Sequence, residues 1–196
     1  DNSKGEFVHE PNPLVASNLR DLQKLVIEKK ADFGVCFDGD ADRLMVVDEN
    51  GGIVGCDHLT AFLASYFLAT NKSSSVVYDL RSSKSVEQDI EHAGGVPVRS
   101  RVGHVFMKAN LAETNGVFGG ELSGHFYFRD NFYADSGAIA LAVLLTAYAK
   151  AAKPMSKIIS PIARFPQSGE INFEVEDKDG ALAALEERCG EGAKID

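Results

Sequence analysis

The chain has 196 residues, 44% of them hydrophobic and 25% charged, with a formal net charge of −9 at pH 7. These are ordinary values for a soluble globular protein, with enough chain for one large domain or two small ones. The acidic balance argues against a nucleic-acid partner, whose phosphates need a basic face, and no apolar run nears the roughly 20 residues that cross a membrane. A small basic pocket for a phosphorylated metabolite stays compatible with that charge. The opening Asp1-Asn2-Ser3-Lys4-Gly5-Glu6 has neither the basic nor the apolar region of a signal peptide. Cys36, Cys56 and Cys189 are odd in number and far apart. They form no zinc spacing and no disulfide framework, and read as buried free thiols in a reducing cytoplasm.

In chain order, Leu19, Leu22, Leu25 and Val26 fall at helical spacing between Pro13 and Lys30. Phe33 to Phe37 reads as a buried strand, Leu44 to Val47 as another, and Glu49-Asn50-Gly51-Gly52 as a turn. Asp57 is the expected N-cap of an apolar helix through Leu59, Phe62, Leu63, Tyr66 and Phe67. A βαβ unit follows: strand Val76 to Leu80, helix Lys84 to Ala93 with Ser85 and Gln88 at capping-box spacing, and strand Val96 to Ser100. Gly94-Gly95 ends its helix. The pattern predicts a helix over His104 to Thr114. Short strands at Val117-Phe118 and Phe126-Tyr127-Phe128 flank a glycine-rich loop, and Ala138 to Ala152 reads as an apolar core helix. Past Lys153-Pro154, Glu170 to Val175 alternates like a strand and Ala181 to Arg188 reads as a short helix. The expected fold class is α/β, with mixed sheets in α/β/α layers. One complete domain over 57–152 is flanked by two partial ones, 1–56 and 153–196, as though the sequence were cut at both ends.

The strongest chemical signal is Phe37-Asp38-Gly39-Asp40-Ala41-Asp42-Arg43. Three carboxylates at alternate positions, separated by small residues, can converge their oxygens only around a cation. Oxygen donors suit Mg²⁺ or Ca²⁺ better than zinc. An EF-hand loop is a poor alternative, because Arg43 stands where glycine is needed and the flanks read as strands. A haloacid-dehalogenase-type phosphatase motif would need threonine where Asp42 stands. A solvated acidic turn leaves the adjacent Arg43 and the apolar flanks unexplained.

The acidic loop resembles the metal loop of the α-D-phosphohexomutases, the phosphomannomutase and phosphoglucomutase family. Gly119-Gly120-Glu121-Leu122-Ser123-Gly124-His125 is similar to the family's sugar-recognition loop, at the expected distance. Pro11-Asn12-Pro13, Val102-Gly103-His104 and Tyr133-Ala134-Asp135-Ser136-Gly137 add smaller matches in consistent order. Independently of any family, glycines at 119, 120 and 124 let a backbone approach a ligand. Glu121 and Ser123 can bond sugar hydroxyls, although an ordinary hairpin would look alike.

The resemblance implies Mg²⁺ held by Asp38, Asp40 and Asp42, and Arg43 on phosphate oxygens. It implies Glu121 and Ser123 on the sugar in either orientation, and His125 near the phosphate. Arg81 follows a strand where many family members carry a lysine proposed to assist proton transfer. An arginine keeps its proton near neutral pH, so electrostatic contact with phosphate is expected instead. Arg101, His104 and Lys108 could add positive potential, His104 being taken as a substrate contact, while Lys108 reads equally as a solvated helix face.

The implied chemistry is phosphoryl transfer between the 1- and 6-positions of a mannose or glucose phosphate, through an enzyme phosphoserine and a hexose bisphosphate. The family's Thr-x-Ser-His-Asn-Pro-like and Arg-x-Ser-x-Thr-like segments have no counterpart in these residues. The chain alone is therefore expected to be inactive. A non-catalytic metal- and sugar-phosphate-binding fragment, a phosphoglucosamine mutase and a phosphatase are the competing readings.

Overall fold

The computed structural model describes residues 7, 11, 12, 14–167 and 173–189. They fall into two bodies, 1–166 and 167–196. In the first, a 3-10 turn at Ala16–Leu19 leads into α1 (Arg20–Lys29), which packs on a small antiparallel sheet. That sheet has the order β1 (Phe33–Phe37), β2 (Leu44–Asp48), β3 (Ile53–Val54). β1 and β2 pair from Phe33↔Asp48 to Phe37↔Leu44, so the acidic segment 38–43 is their hairpin connection. β1 is half-buried at every position, not buried as the apolar run suggests, because it is an edge strand. β2 sits between two neighbours and buries Leu44 to Val47. Asp48 closes the next turn by accepting the N–H groups of Asn50 and Gly52 at 2.9 and 2.7 Å, with Gly51 at φ +81°.

α2 (Cys56–Leu68) begins the larger layer set. Its N-cap is Gly55, not Asp57: Asp57 lies inside the first turn, fully buried, and its carboxylate accepts from the backbone N–H of Ser83. β4 (Ser75–Asp79), α3 (Lys84–His92) and β5 (Val96–Ser100) form the expected parallel βαβ unit. The cap of α3 is Ser83, which accepts from the N–H of Ser85; the expected capping box is out of register by two residues. α4 (His104–Thr114) carries the chain back to β6 (Phe118–Gly120), parallel to β4, and β7 (Phe126–Phe128) returns antiparallel. The sheet is mixed, with order β5-β4-β6-β7.

Strand alternation decides the layers. Val76, Tyr78, Phe118, Phe126 and Phe128 face a core shared with α2, α3 and α5 (Gly137–Ala151), while Val77 and Tyr127 face Met107 and Leu111 of α4. Phe67, Phe118, Phe126 and Phe128 form one ring cluster with centroids 5.0–6.2 Å apart. Each buried ring of this kind contributes about 1.5–3 kcal/mol. α5 buries only the stripe Gly137, Ala140, Leu144 and Ala147 and leaves Leu145 half-exposed, so it is a one-faced helix despite its uniform apolar composition. α6 (Met155–Ile159) follows.

The second body contains α7 (Lys178–Cys189), where Asp177 accepts the N–H of Gly180 at 2.9 Å. The strand expected over Glu170 to Val175 falls partly outside the described residues, and Phe173 to Val175 form no strand. Cys36 is half-buried rather than buried, Cys56 is buried, both are free, and the reading of Cys189 falls outside the described side chains. Among the described residues no helix is long and apolar enough to cross a membrane.

Candidate functional site

The acidic loop is an antiparallel hairpin, so its convergence comes from the turn and not from the end of a parallel strand. Ala41 takes φ +63°, a left-handed conformation costly for a residue with a Cβ, and this folds the loop back on itself. Ligand oxygens of Asp38, Asp40 and Asp42 then lie within 4.8 Å of one another. Opposite oxygens on an octahedral Mg²⁺ stand about 4.2 Å apart, so the spacing suits that ion after a small contraction. Oδ1 of Asp42 is buried with no hydrogen-bond partner, an acceptor that a cation would satisfy. Burial first, then the carboxylates of Asp38 and Asp40, hold the Asp42 carboxyl above the usual range against an opposing pull from His125. The donor set fits a hard divalent cation.

Arg43 and His125, 82 residues apart in sequence, pair as an antiparallel bridge, continued by the Leu44 N–H donating to the Gly124 carbonyl at 3.0 Å. This bridge joins the hairpin to the loop after β6. Nε of Arg43 donates to Nε2 of His125 at 3.3 Å and lies 3.3 Å from Asp38. Among the described residues its two Nη nitrogens make no hydrogen bond, leaving the fork available to an anion. Ser123 Oγ and His125 Nδ1 are 2.9 Å apart. Gly124, at φ +92°, makes the tight turn between them.

Glu121 is only 2% exposed. Its Oε1 accepts the N–H of Gly103 at 2.9 Å and its Oε2 accepts the Tyr127 hydroxyl at 2.6 Å. Burial, then that bond, push the Tyr127 hydroxyl far above its ordinary value, so it stays a donor. Glu121 therefore braces the loop as well as facing it, which the reading of an open sugar-binding carboxylate missed. His104 is exposed on the first turn of α4, immediately after that Gly103. Arg81 follows β4, paired with fully buried Asp79 at 3.0 Å.

Sequence reasoning also missed Asp79, Tyr127, Asp135 and the pairing of Lys108. Asp135 lies 3.2 Å from Lys108 Nζ and 3.9 Å from His125 Nε2, so the partly solvated Lys108 is also part of a charge chain. Asp42, His125 and Asp135 also converge within 4.8 Å, but Lys108 and Arg43 already supply their countercharge. The segment Tyr133 to Gly137 was a legible signal for Asp135; nothing in the pattern singled out Tyr127, whose bond depends on the alternate sheet face.

Fold and site together define an α/β/α protein with an oxygen-rich candidate cation site bridged to a polar loop at the carboxyl edge of a mixed sheet. The pattern described as phosphoglucomutase/phosphomannomutase α/β/α domain III matches residues 56–165, and that of domain II matches 1–52. The chain belongs to the phosphoglucomutase/phosphomannomutase family. It is 40% identical over 184 residues to a phosphomannomutase of Methanocaldococcus jannaschii, covering 93% of this chain and 41% of that one. A phosphoglucomutase/phosphomannomutase family protein from Burkholderia thailandensis superposes with a TM-score of 0.72 at 34% identity, over 76% of this chain and 33% of that one. An Aspergillus fumigatus N-acetylphosphoglucosamine mutase, solved with GlcNAc-6P and magnesium, shares the fold with a TM-score of 0.51 at 17% identity, over 63% and 32% of the two chains. The chain spans about two fifths of the length of the curated relatives it matches.

Proposed function

We propose that these residues are the metal- and sugar-binding part of a phosphohexomutase that moves phosphate between the 1- and 6-positions of mannose or glucose phosphate. The observation that carries this reading is the Arg43–His125 bridge, which sets the triple carboxylate beside the Glu121–His125 loop. In this reading 1–56 completes a metal-binding domain, 57–152 forms a sugar-binding domain and 153–196 begins a third. Asp38, Asp40 and Asp42 hold Mg²⁺, which offsets charge on the phosphoryl group while it is in transfer. The Arg43 fork takes phosphate oxygens beside the ion. Arg81 contributes a permanent positive charge, not a proton.

Ser123 presents its hydroxyl to the sugar, and Glu121, buried with both oxygens engaged, reaches sugar hydroxyls by exchanging one of those bonds for them. His125, bonded to Ser123 at Nδ1 and to Arg43 at Nε2, can hold a proton between the sugar loop and the phosphate. His104 adds a contact from the rim. The phosphoryl carrier is a serine in a Thr-x-Ser-His-Asn-Pro-like segment, which these residues do not contain. Titration calorimetry of the chain with Mg²⁺ and glucose 1,6-bisphosphate tests the reading. Binding of the bisphosphate that strengthens with Mg²⁺ supports it, and absence of binding removes it.

A further inference from the structure

The loops after β4, β5 and β6 meet at one edge of the sheet, and two buried carboxylates stitch them. Glu121 joins the β6 loop to Gly103 of the β5 loop. Asp79, the last residue of β4 and fully buried, joins the β4 loop to the β6 loop. Its Oδ1 accepts the backbone N–H of Arg81 at 2.8 Å, and its Oδ2 accepts both Arg81 Nη2 at 3.0 Å and the backbone N–H of Leu122 at 2.8 Å. Two residues further along, Asp57 accepts the N–H of Ser83 at 2.9 Å, so the short Arg81–Ser83 loop is held at each end by a buried acid. Burying a carboxylate is costly, and apolar packing of equal volume often serves stability as well or better. What a carboxylate supplies and an apolar side chain cannot is direction: a fixed angle for a guanidinium and a fixed distance to a second loop.

We propose that Asp79 is a positioning residue for phosphate recognition, aiming the Arg81 guanidinium and locking the Arg81 loop to the sugar loop. The phosphate role rests on the function proposed above; the lock rests on geometry alone. A phosphate arriving at Arg81 is thereby registered against the turn that carries Glu121 and Ser123, through a single carboxylate oxygen shared by Arg81 and Leu122.

The test uses the 196-residue chain and two measurements. Asp79→Asn keeps the shape but turns one acceptor oxygen into a donor facing N–H groups. Amide hydrogen exchange at Arg81 and Leu122 should accelerate at least about tenfold together, since a charge-assisted bond is lost. Unchanged exchange at Leu122 overturns the lock. For glucose 1,6-bisphosphate, Asp79→Asn and Arg81→Gln should each weaken binding about tenfold, the double variant should be no weaker than Arg81→Gln, and Mg²⁺ affinity should stay unchanged. Additive losses, or an Asp79→Asn loss without an Arg81→Gln loss, overturn the positioning role. A wild-type chain that binds no bisphosphate removes the phosphate role along with the proposed function, and the exchange result then decides the lock by itself. If Asp79→Asn does not fold, the wild-type Arg81 guanidinium nitrogens decide. Separate slow-rotating resonances support a clamped side chain, and averaged ones overturn it.

Discussion

Oδ2 of Asp42 lies 3.5 Å from Nε2 of His125, so one carboxylate of the triple-acid hairpin also reaches the loop after β6. When His125 is protonated, a cation drawn toward Asp38, Asp40 and Asp42 competes with it for Asp42.

Asp40 is the most exposed of the three acids and has the fewest other duties. Asp40→Asn should weaken Mg²⁺ binding in titration calorimetry while leaving the thermal midpoint in EDTA nearly unchanged. Equal Mg²⁺ affinity in the two chains removes Asp40 from the ligand set.

Proton competition should be visible at the same loop. Burial and neighbouring carboxylates raise the Asp42 carboxyl, so its folded form keeps a proton at pH values where an ordinary carboxylate is charged. Mg²⁺ binding must release that proton. Affinity should fall as pH drops, beginning above the ordinary carboxylate range, and calorimetry in buffers of different ionisation enthalpy should show net proton release near the raised pKa.

Glu121→Ala would leave the Gly103 N–H and the Tyr127 hydroxyl without their acceptor. Chemical denaturation should show a loss of about 1.5–3 kcal/mol, larger than for Glu121→Gln, which keeps one acceptor oxygen. An unchanged midpoint for the alanine variant would mean that these bonds do not form in solution.

Ser156 directs its hydroxyl and its N–H at the carboxylate of Glu49, tying the first turn of α6 to the β2–β3 turn. Burial acts to raise the Glu49 carboxyl, but hydrogen bonds, those from Ser156 foremost, together outweigh it and the net displacement is downward. A depressed folded-state value adds stability above the unfolded pKa, and that stability is lost as pH falls through the folded one. Ser156→Ala should cost about 0.5–1.5 kcal/mol at pH 7. The difference from wild type should shrink toward pH 3, and a gap independent of pH would contradict this account.

At Gly137 the first turn of α5 meets the acidic hairpin backbone to backbone, with its N–H donating to the Ala41 carbonyl at 3.2 Å. A Cβ there would stand 2.6 Å from the Ala41 oxygen and 2.9 Å from the Arg43 oxygen. Gly137→Ala should cost about 1–3 kcal/mol and loosen Mg²⁺ binding, because the hairpin must move away. Retained stability and affinity in that variant would show that the hairpin is not seated on α5.

The residue pattern by itself determined most helices and strands, though not the short α6 or β3, since apolar spacing and glycine placement are local properties. It also singled out the acidic hairpin and the loop from Glu121 to His125 as candidate sites, because the residues of each lie within a few positions of one another. Caps were less legible: Gly55 and Ser83 took the places expected for Asp57 and Ser85, because tertiary bonds at the edge of the sheet drew Asp57 inward. Edge and face were equally hidden, as the half-buried β1 and the one-faced α5 show, since exposure depends on what packs alongside. Only the tertiary structure decided which distant groups meet: Arg43 with His125, Asp79 with Leu122, Glu121 with Gly103, and Asp135 with Lys108. The physical reason is range. Spacing along a chain sets which side a residue faces within one element, whereas a buried carboxylate finds its donors only when separate loops are brought together at the end of a sheet.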